Sequence, residues 1–390
     1  MVNNTHTALI LSGGGARAAY QVGVLSAIGK MMPKHSSIPF PILCGTSAGA
    51  LNAAMLAANA DNFTRAISKL SYLWRHLSPD QIYRVDSMSM VSSLSRILFS
   101  LFQSGHPNKQ LSLLDNLPLK QLLQRFLDLD RINTCIHHKQ LHALSITAMS
   151  YSSGKTTSFF QGKSSLANWE SNRSLGLRSR LTYSHLLASS AIPTIFPAQK
   201  IGEHYFADGA MRQQSPISPA LHLGADKIMV IGVSGNRAPK HWNHEIPRPH
   251  PPSIAQITGQ LLNSAFIDNL EDDIAQLERI NELTLGHSRM NRQPIETLVI
   301  SPSVELDQLA AQHFSELPFS LKCVMGSIGA TPKAGGSSAA SYLLFTQDYC
   351  RSLIELGQKD ANWEKDKILE FLNMPTQRNA KPFPSKPFAQ

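Results

Sequence analysis

Twice near its start, the chain passes from a short apolar run through a glycine-rich turn into a pattern typical of a helix. Residues 8–11 read Ala-Leu-Ile-Leu and end in Ser-Gly-Gly-Gly, before a helical pattern over 16–30. A second apolar run, 40–44, leads through Gly-Thr-Ser-Ala-Gly into an alanine-rich helical pattern over about 48–60. This order of elements predicts a parallel sheet, because parallel neighbours need a crossover connection, usually a helix.

Later segments extend the same pattern. Further apolar runs predict strands at 144–149, 156–160, 228–233 and 298–301. We therefore predict an α/β fold of three layers, α/β/α, with a central mostly parallel sheet and a mainly helical C-terminal extension that begins with one long helix over 254–283. The predicted division is an α/β domain at 1–235, a loop rich in proline and histidine at 236–252, the extension at 253–374 and a disordered basic tail at 375–390.

Charge and hydropathy exclude several classes of function. The chain carries 36 Lys and Arg against 27 Asp and Glu, a net charge of +9. The basic residues are scattered, which argues against nucleic acid as a partner. No apolar run reaches the ~18 residues of a membrane-spanning helix, and no signal peptide is recognisable. We expect a location in the cytoplasm or at the periphery of a membrane, with export by another route left open.

The cysteines and other metal-binding residue types indicate no metal centre. Cys44, Cys135, Cys323 and Cys350 lie far apart, without a C-x-x-C pair or zinc-ligand spacing. They predict reduced thiols that are mostly buried. We predict that the protein uses neither a metal nor another cofactor.

The strongest chemical signal is the sequence Gly45-Thr46-Ser47-Ala48-Gly49 between a strand and a helix. This G-x-S-x-G pattern is typical of a nucleophile elbow, in which the serine lies on a strained turn and flanking side chains would clash. The helix that follows directs its N-terminal N–H groups towards the serine and favours negative charge there. Ser47 is therefore the candidate nucleophile.

The second signal is the run Gly13-Gly14-Gly15-Ala16-Arg17, again between a strand and a helix. Successive glycines expose backbone N–H groups that can bind an anion. One interpretation is an oxyanion hole for acyl transfer, formed by these residues. Arg17 either adds a positive charge nearby or pairs with a structural carboxylate.

Two nucleotide-binding interpretations of the glycine-rich segments fail. Gly13, Gly15 and Ala18 fit a loose G-x-G-x-x-A pattern, but a dinucleotide site also needs an acidic residue after the second strand. The sequence has Gly-Thr-Ser there, so we reject that interpretation. Residues 154–156, Gly-Lys-Thr, resemble the end of a P-loop, but Met149 stands where its first glycine must be.

The third signal is Asp208-Gly209, which follows the aromatic pair Tyr205-Phe206. An aspartate before glycine is most often a turn former. The alternative gains weight because a serine nucleophile needs a general base.

Together these motifs resemble the patatin-like phospholipase family. Gly-Gly-Gly-Ala-Arg at 13–17, Gly-Thr-Ser-Ala-Gly at 45–49 and Asp-Gly-Ala at 208–210 match its glycine-rich loop, nucleophile elbow and catalytic aspartate motif, and Ala-Ser-Ser-Ala-Ile-Pro at 188–193 resembles the segment before that aspartate. The resemblance spans roughly 7–235. It implies a dyad of Ser47 and Asp208 without histidine, an oxyanion site around Gly14 and Gly15, and an acyl-enzyme.

The resemblance also implies a substrate and a setting. The substrate is a phospholipid or another lipid ester, and we expect peripheral contact with a membrane. The apolar stripe over 88–102 is either a core-facing helix or an interfacial helix that contacts lipid.

Three alternatives stay open from the sequence. A generic carboxylesterase or acyltransferase has the same motifs, and a catalytically silent lipid-binding scaffold is the alternative from another class. A Ser-His-Asp triad is the mechanistic rival, and it would draw on a histidine after Asp208. The candidates are His222, His241, His244, His250, His287 and His313.

Overall fold

The computed structural model describes residues 6–84, 112–234, 251, 253–265, 269–286, 294–327 and 337–375. The strands among them are β1 (Thr7–Leu11), β2 (Ile42–Thr46), β3 (Ala143–Ser150), β4 (Thr156–Gly162), β5 (Trp169–Glu170), β6 (Ser174–Arg178), β7 (Gln199–Ile201), β8 (His204–Asp208), β9 (Lys227–Ile231) and β10 (Glu296–Ile300). The α-helices in the first part of the chain are α1 (Ala19–Met31), α2 (Ala48–Ala57), α3 (Phe63–Arg75), α4 (Pro79–Ile82), α5 (Leu117–Phe126), α6 (Asp130–His137), α7 (Tyr183–Ser189) and α8 (Ser218–His222). Those that follow are α9 (Ile254–Asn263), α10 (Asn269–Gly286), α11 (Leu306–His313), α12 (Phe319–Ser327), α13 (Ser337–Leu343), α14 (Gln347–Trp363) and α15 (Lys365–Phe371).

The strands of the described residues form one sheet. Their order is β10-β9-β1-β2-β3-β4-β6-β5, while β8 pairs with β3 and β7 with β8. The strands from β10 to β3 run parallel, as does the pair of β4 and β6. The remaining pairs, β3 with β4, β3 with β8, β5 with β6 and β7 with β8, are antiparallel. The predicted mostly parallel sheet is confirmed.

Helices cover both faces of the sheet. Because successive residues of a strand point to opposite sides, one strand can contribute side chains to two separate apolar cores. In β1, Leu9 and Leu11 belong to the larger apolar core, together with buried residues of α1, α2 and α3. Ala8 and Ile10 belong to a second core, together with residues of α8 and α10. The predicted three-layer α/β/α architecture is confirmed.

Two predicted elements differ in their bounds. The second strand begins at Ile42 rather than at residue 40, because Pro41 has no N–H to donate to a neighbouring strand. The Pro41 carbonyl instead accepts the N–H of His142 at 2.7 Å. Of the long helix predicted over 254–283, the structure describes α9 and α10, the latter ending at Gly286 rather than at residue 283, and residues 266–268 between them lie outside the described residues.

The C-terminal part of the chain packs closely on the N-terminal part, and its predicted helical character is confirmed. Strand β10 extends the sheet beside β9. Helix α14 lies against α1, where the Tyr20 hydroxyl donates to Asp360 at 3.1 Å. The domain division at 235 stays a prediction. The stripe over 88–102, residues 235–250 and most of the basic tail lie outside the described residues.

Candidate active site

Ser47 lies on the sharp turn between β2 and α2. Its φ of 55° and ψ of −131° are unusual for a residue with a side chain, and such conformations persist only where the surroundings hold them. The Ser47 N–H donates to Ser189 Oγ at 2.9 Å, and that hydroxyl donates to the Thr147 carbonyl at 2.6 Å. The strained turn is thus fastened to α7 and to β3.

The glycines of the elbow permit its close packing. A Cβ atom on Gly49 would lie 2.2 Å from the Leu11 carbonyl oxygen, and one on Gly45 would lie 2.6 Å from the Ala50 Cα. The predicted steric need for glycine on both flanks is confirmed. Because β1 and β2 are parallel neighbours, the glycine-rich loop after Leu11 leaves the sheet beside the elbow.

The register of β3 brings Asp208 next to Ser47. The last residue of β2, Thr46, pairs with Thr147 of β3. The last residue of β8, Asp208, pairs with the next position of β3, Ala148. Strands β2 and β8, which are far apart in sequence, therefore end opposite two successive residues of β3. The Asp208 N–H donates to the Ala191 carbonyl at 2.9 Å, which fixes the aspartate from the other side.

The carboxyl group of Asp208 is fully buried. Burial raises its pKa to about 7, because the charged form loses its hydration, while the Ser47 side chain and the Ala210 N–H oppose that rise. Oδ1 accepts the Ala210 N–H at 3.0 Å. Oδ2 makes no regular hydrogen bond to a described residue, so the Ser47 hydroxyl is near enough to stabilise the charge without being well aligned. Such alignment often improves only when substrate binds.

An apolar cavity opens beside Ser47, and the space between its lining atoms, part of it open to solvent, is about 720 Å³. Apart from Ser47 and Gly15, the side chains that line it are mostly aliphatic or aromatic. They come from α2, α3, α5, the segment after α7, and the end of α13 with the residues that follow it, and include Leu51, Met55, Leu70, Trp74, Leu119, Leu122, Leu123, Ile192, Phe196, Tyr342 and Phe345. This apolar lining has the chemistry to contact a hydrocarbon chain.

The structure separates the roles of the glycine-rich loop. Gly15 lines the cavity together with Ser47. The Arg17 N–H donates to the Gly14 carbonyl at 3.1 Å and so belongs to the turn itself. The Arg17 guanidinium, almost fully buried, lies 2.5 Å from Asp307 Oδ1. Of the two interpretations of Arg17, the pairing with a structural carboxylate is the one observed.

The later histidines within the described residues have partners away from the elbow. His222 stacks on Trp169, with ring centroids 4.8 Å apart, and His313 contacts Glu316 at 2.6 Å. His241, His244, His250 and His287 lie outside the described residues.

In the part of the chain that the structure describes, no group of three or more His, Cys, Asp or Glu side chains is arranged so that it could hold a metal ion. The four cysteines are free thiols, of which Cys323 is exposed and the others are buried. The prediction that most of these thiols are buried is confirmed.

Sequence reasoning missed two features of this site. Ser189 lies in the segment noted before Asp208, but nothing local marked its hydroxyl as the acceptor of the Ser47 N–H. Tyr342 and Phe345 line the cavity although they are about three hundred residues from Ser47 in sequence. Only the tertiary fold places them there.

A serine on a strand-to-helix elbow, in a mostly parallel sheet covered by helices, defines an ester hydrolase of the α/β class. The model of the patatin-like phospholipase family matches residues 9–221, which is more than half of the chain. This protein belongs to the patatin-like phospholipase family.

Individual relatives are similar either over a limited stretch or at low sequence identity. Lysophospholipase nte1 from Aspergillus terreus (strain NIH 2624 / FGSC A1156) is 35% identical over 100 residues, which cover 24% of this chain and only 6% of that protein. VipD from Legionella pneumophila is 12% identical, with a TM-score of 0.34 over 95% of this chain and 67% of that one. Human GIVD cytosolic phospholipase A2 is 12% identical, with a TM-score of 0.38 over 95% and 59%.

Proposed function

We propose that this protein hydrolyses fatty acyl esters of phospholipids or lysophospholipids, with Ser47 as nucleophile and Asp208 as general base. The observation that carries the proposal is the register of β3, in which Thr46 and Asp208 pair with adjacent residues, so that Asp208 lies next to Ser47 at the wall of an apolar cavity. Family membership supports the lipid substrate, as does the name of the fungal relative, a lysophospholipase.

The first half of the reaction forms an acyl-enzyme. The ionised Asp208 accepts the proton of the Ser47 hydroxyl, and Oγ attacks the ester carbonyl carbon. The carbonyl oxygen takes up negative charge beside the N–H groups of Gly14 and Gly15 and the first turn of α2. The tetrahedral intermediate then collapses, the proton from Asp208 passes to the departing alcohol, and the acyl group remains on Ser47.

The second half releases the fatty acid. Water loses a proton to Asp208 and attacks the acyl carbonyl, and collapse of the intermediate returns the proton to Ser47 Oγ. An ordinary aspartate is a weak base, but the raised pKa of about 7 makes Asp208 a stronger proton acceptor while leaving much of it ionised at neutral pH. This mechanism needs no imidazole.

The cavity supports the proposal that long acyl chains are preferred. Its apolar lining removes hydrocarbon from water at about 0.8 kcal/mol for each methylene group. We propose that the protein binds at the surface of a membrane, where such chains are available, and its net charge of +9 would assist at anionic lipid. No helix in the described part of the chain is long and apolar enough to cross a bilayer.

The test compares variants on a soluble chromogenic ester and on phospholipid vesicles. We expect Ser47→Ala and Asp208→Ala to lose activity by at least about 10³-fold. The matched control is Ser26→Ala in α1, where the hydroxyl donates to the Val22 carbonyl at 2.6 Å away from the site. A fluorophosphonate should label the wild type at Ser47, as seen by peptide mass, and should leave Ser47→Ala unlabelled.

Two results would contradict the proposal. Lipid binding by a wild type that lacks any esterase activity would favour a silent scaffold. A loss above about 10³-fold in kcat on replacing one of the six later histidines by alanine would favour a triad.

A further inference from the structure

The glycine-rich loop is clamped by the C-terminal extension. The Arg17 guanidinium donates from Nε to Ser341 Oγ at 2.7 Å, from one terminal nitrogen to Asn263 Oδ1 at 3.3 Å, and from the other to Asp307 Oδ1 at 2.5 Å. It also lies 4.1 Å from the centre of the Tyr342 ring. Residues from α9, α11 and α13 thus surround one side chain of the loop.

This contact reaches the loop backbone as well. Gly15 has a φ of 54°, and a Cβ atom there would lie 2.1 Å from the Tyr342 carbonyl oxygen. The main chain of α13 therefore touches the loop two residues before Arg17. Tyr342 and the next residue, Leu343, also line the cavity together with Gly15 and Ser47.

The ion pair is the polar centre of this clamp. The Arg17 side chain is 3% exposed, whereas that of Asp307 is 32% exposed, so the buried cation depends on its partner for charge balance. Asp307 itself lines neither the cavity nor the elbow. Any effect of Asp307 on the reaction must therefore pass through Arg17 and the loop.

We propose that Asp307 is a positioning residue, which holds the glycine-rich loop in the conformation that binds the oxyanion. Through it, the C-terminal extension completes the catalytic centre that the N-terminal motifs begin. The inference rests on the proposed function of Ser47 and extends it to a segment outside the family match at 9–221.

The experiment uses the full chain with Asp307→Ala, Asp307→Asn and Ser341→Ala. The matched control is Asp348→Ala, which removes an acid of the extension that pairs with Arg351 at 3.2 Å on the exposed side of α14. Steady-state kinetics on a soluble ester separate kcat from KM, and circular dichroism and thermal unfolding measure the folded fraction.

We expect Asp307→Ala to lower kcat about 10²-fold with little change in KM, because the oxyanion forms only in the transition state. Asp307→Asn keeps a hydrogen-bond acceptor for Arg17 and should recover part of that loss. In a cycle with Arg17→Met, the double variant should be no slower than the slower single variant, since the two residues act as one unit.

Several results would overturn the inference. One is a folded Asp307→Ala protein with the same kcat as Asp348→Ala, and another is a loss of rate that follows the loss of folded protein. If Asp307→Ala does not fold, Asp307→Asn and Ser341→Ala decide, and normal kcat in both would overturn it. An inactive wild type, or an active Ser47→Ala, would instead refute the proposed function.

Discussion

Replacing Asp208 by asparagine should stabilise the protein while it removes activity. The carboxyl is buried, with a pKa of about 7 against an ordinary value of 3.8. A raised pKa means that ionisation opposes folding, so stability is full below pH 3.8 and is lost as pH rises towards 7. At about 1.36 kcal/mol per pH unit, the interval between 3.8 and 7 corresponds to about 4 kcal/mol. Asparagine keeps an oxygen for the Ala210 N–H and never ionises, so the variant avoids this loss.

The assay is urea unfolding of the wild type and Asp208→Asn, followed by tryptophan fluorescence at a series of pH values. The difference in unfolding free energy should grow by about 4 kcal/mol between pH 4 and pH 8 and then stay constant. Asp348→Asn, at a carboxylate that is 66% exposed, controls for the substitution itself. A difference between wild type and Asp208→Asn that does not change with pH would refute the reasoning.

Three further predictions follow from the same site. The kcat/KM for a soluble ester should rise about tenfold per pH unit below pH 7 and level off above it, because only ionised Asp208 accepts the Ser47 proton; a flat profile between about pH 5 and pH 9 contradicts this. Ser189→Ala removes the acceptor of the Ser47 N–H, so urea unfolding should show a loss of about 1 kcal/mol and initial rates a lower kcat; wild-type values of both would be evidence against the fastening of the elbow. Leu122→Trp should fill part of the cavity and lower kcat/KM for a palmitoyl ester far more than for a butyryl ester, since each excluded methylene forfeits about 0.8 kcal/mol; an equal loss for both esters would mean that the acyl chain lies elsewhere.

The parts of the fold that the sequence could predict are those with local causes. The elbow at Ser47 needs glycines where backbone segments meet, and an apolar strand leads into it, so its geometry is visible in a few residues. The parallel strands are continuous apolar runs because both of their faces are buried. The short antiparallel strands β5 and β7 carry no such signal, since each has only 2 or 3 residues and none of them is fully buried.

The parts that could not be predicted depend on contacts between distant segments. Asp208 looked like an ordinary turn former, and only the register of β3 makes it a neighbour of Ser47. The partner of Arg17 was harder still, because Asp307 is 290 residues away on a helix whose local pattern shows nothing unusual. The residues of the cavity wall beyond α13 are hidden in the same way.

The pairing of β10 with β9 has a practical consequence for anyone who shortens this chain. Removal of everything after residue 235 would leave β9 at the margin of the sheet, with one row of N–H and C=O groups unpaired. The sequence of β9, Lys-Ile-Met-Val-Ile, is short, apolar and rich in β-branched residues. Open edges of this kind recruit strands from other molecules. A catalytic segment expressed by itself should therefore precipitate rather than report on the activity of the enzyme.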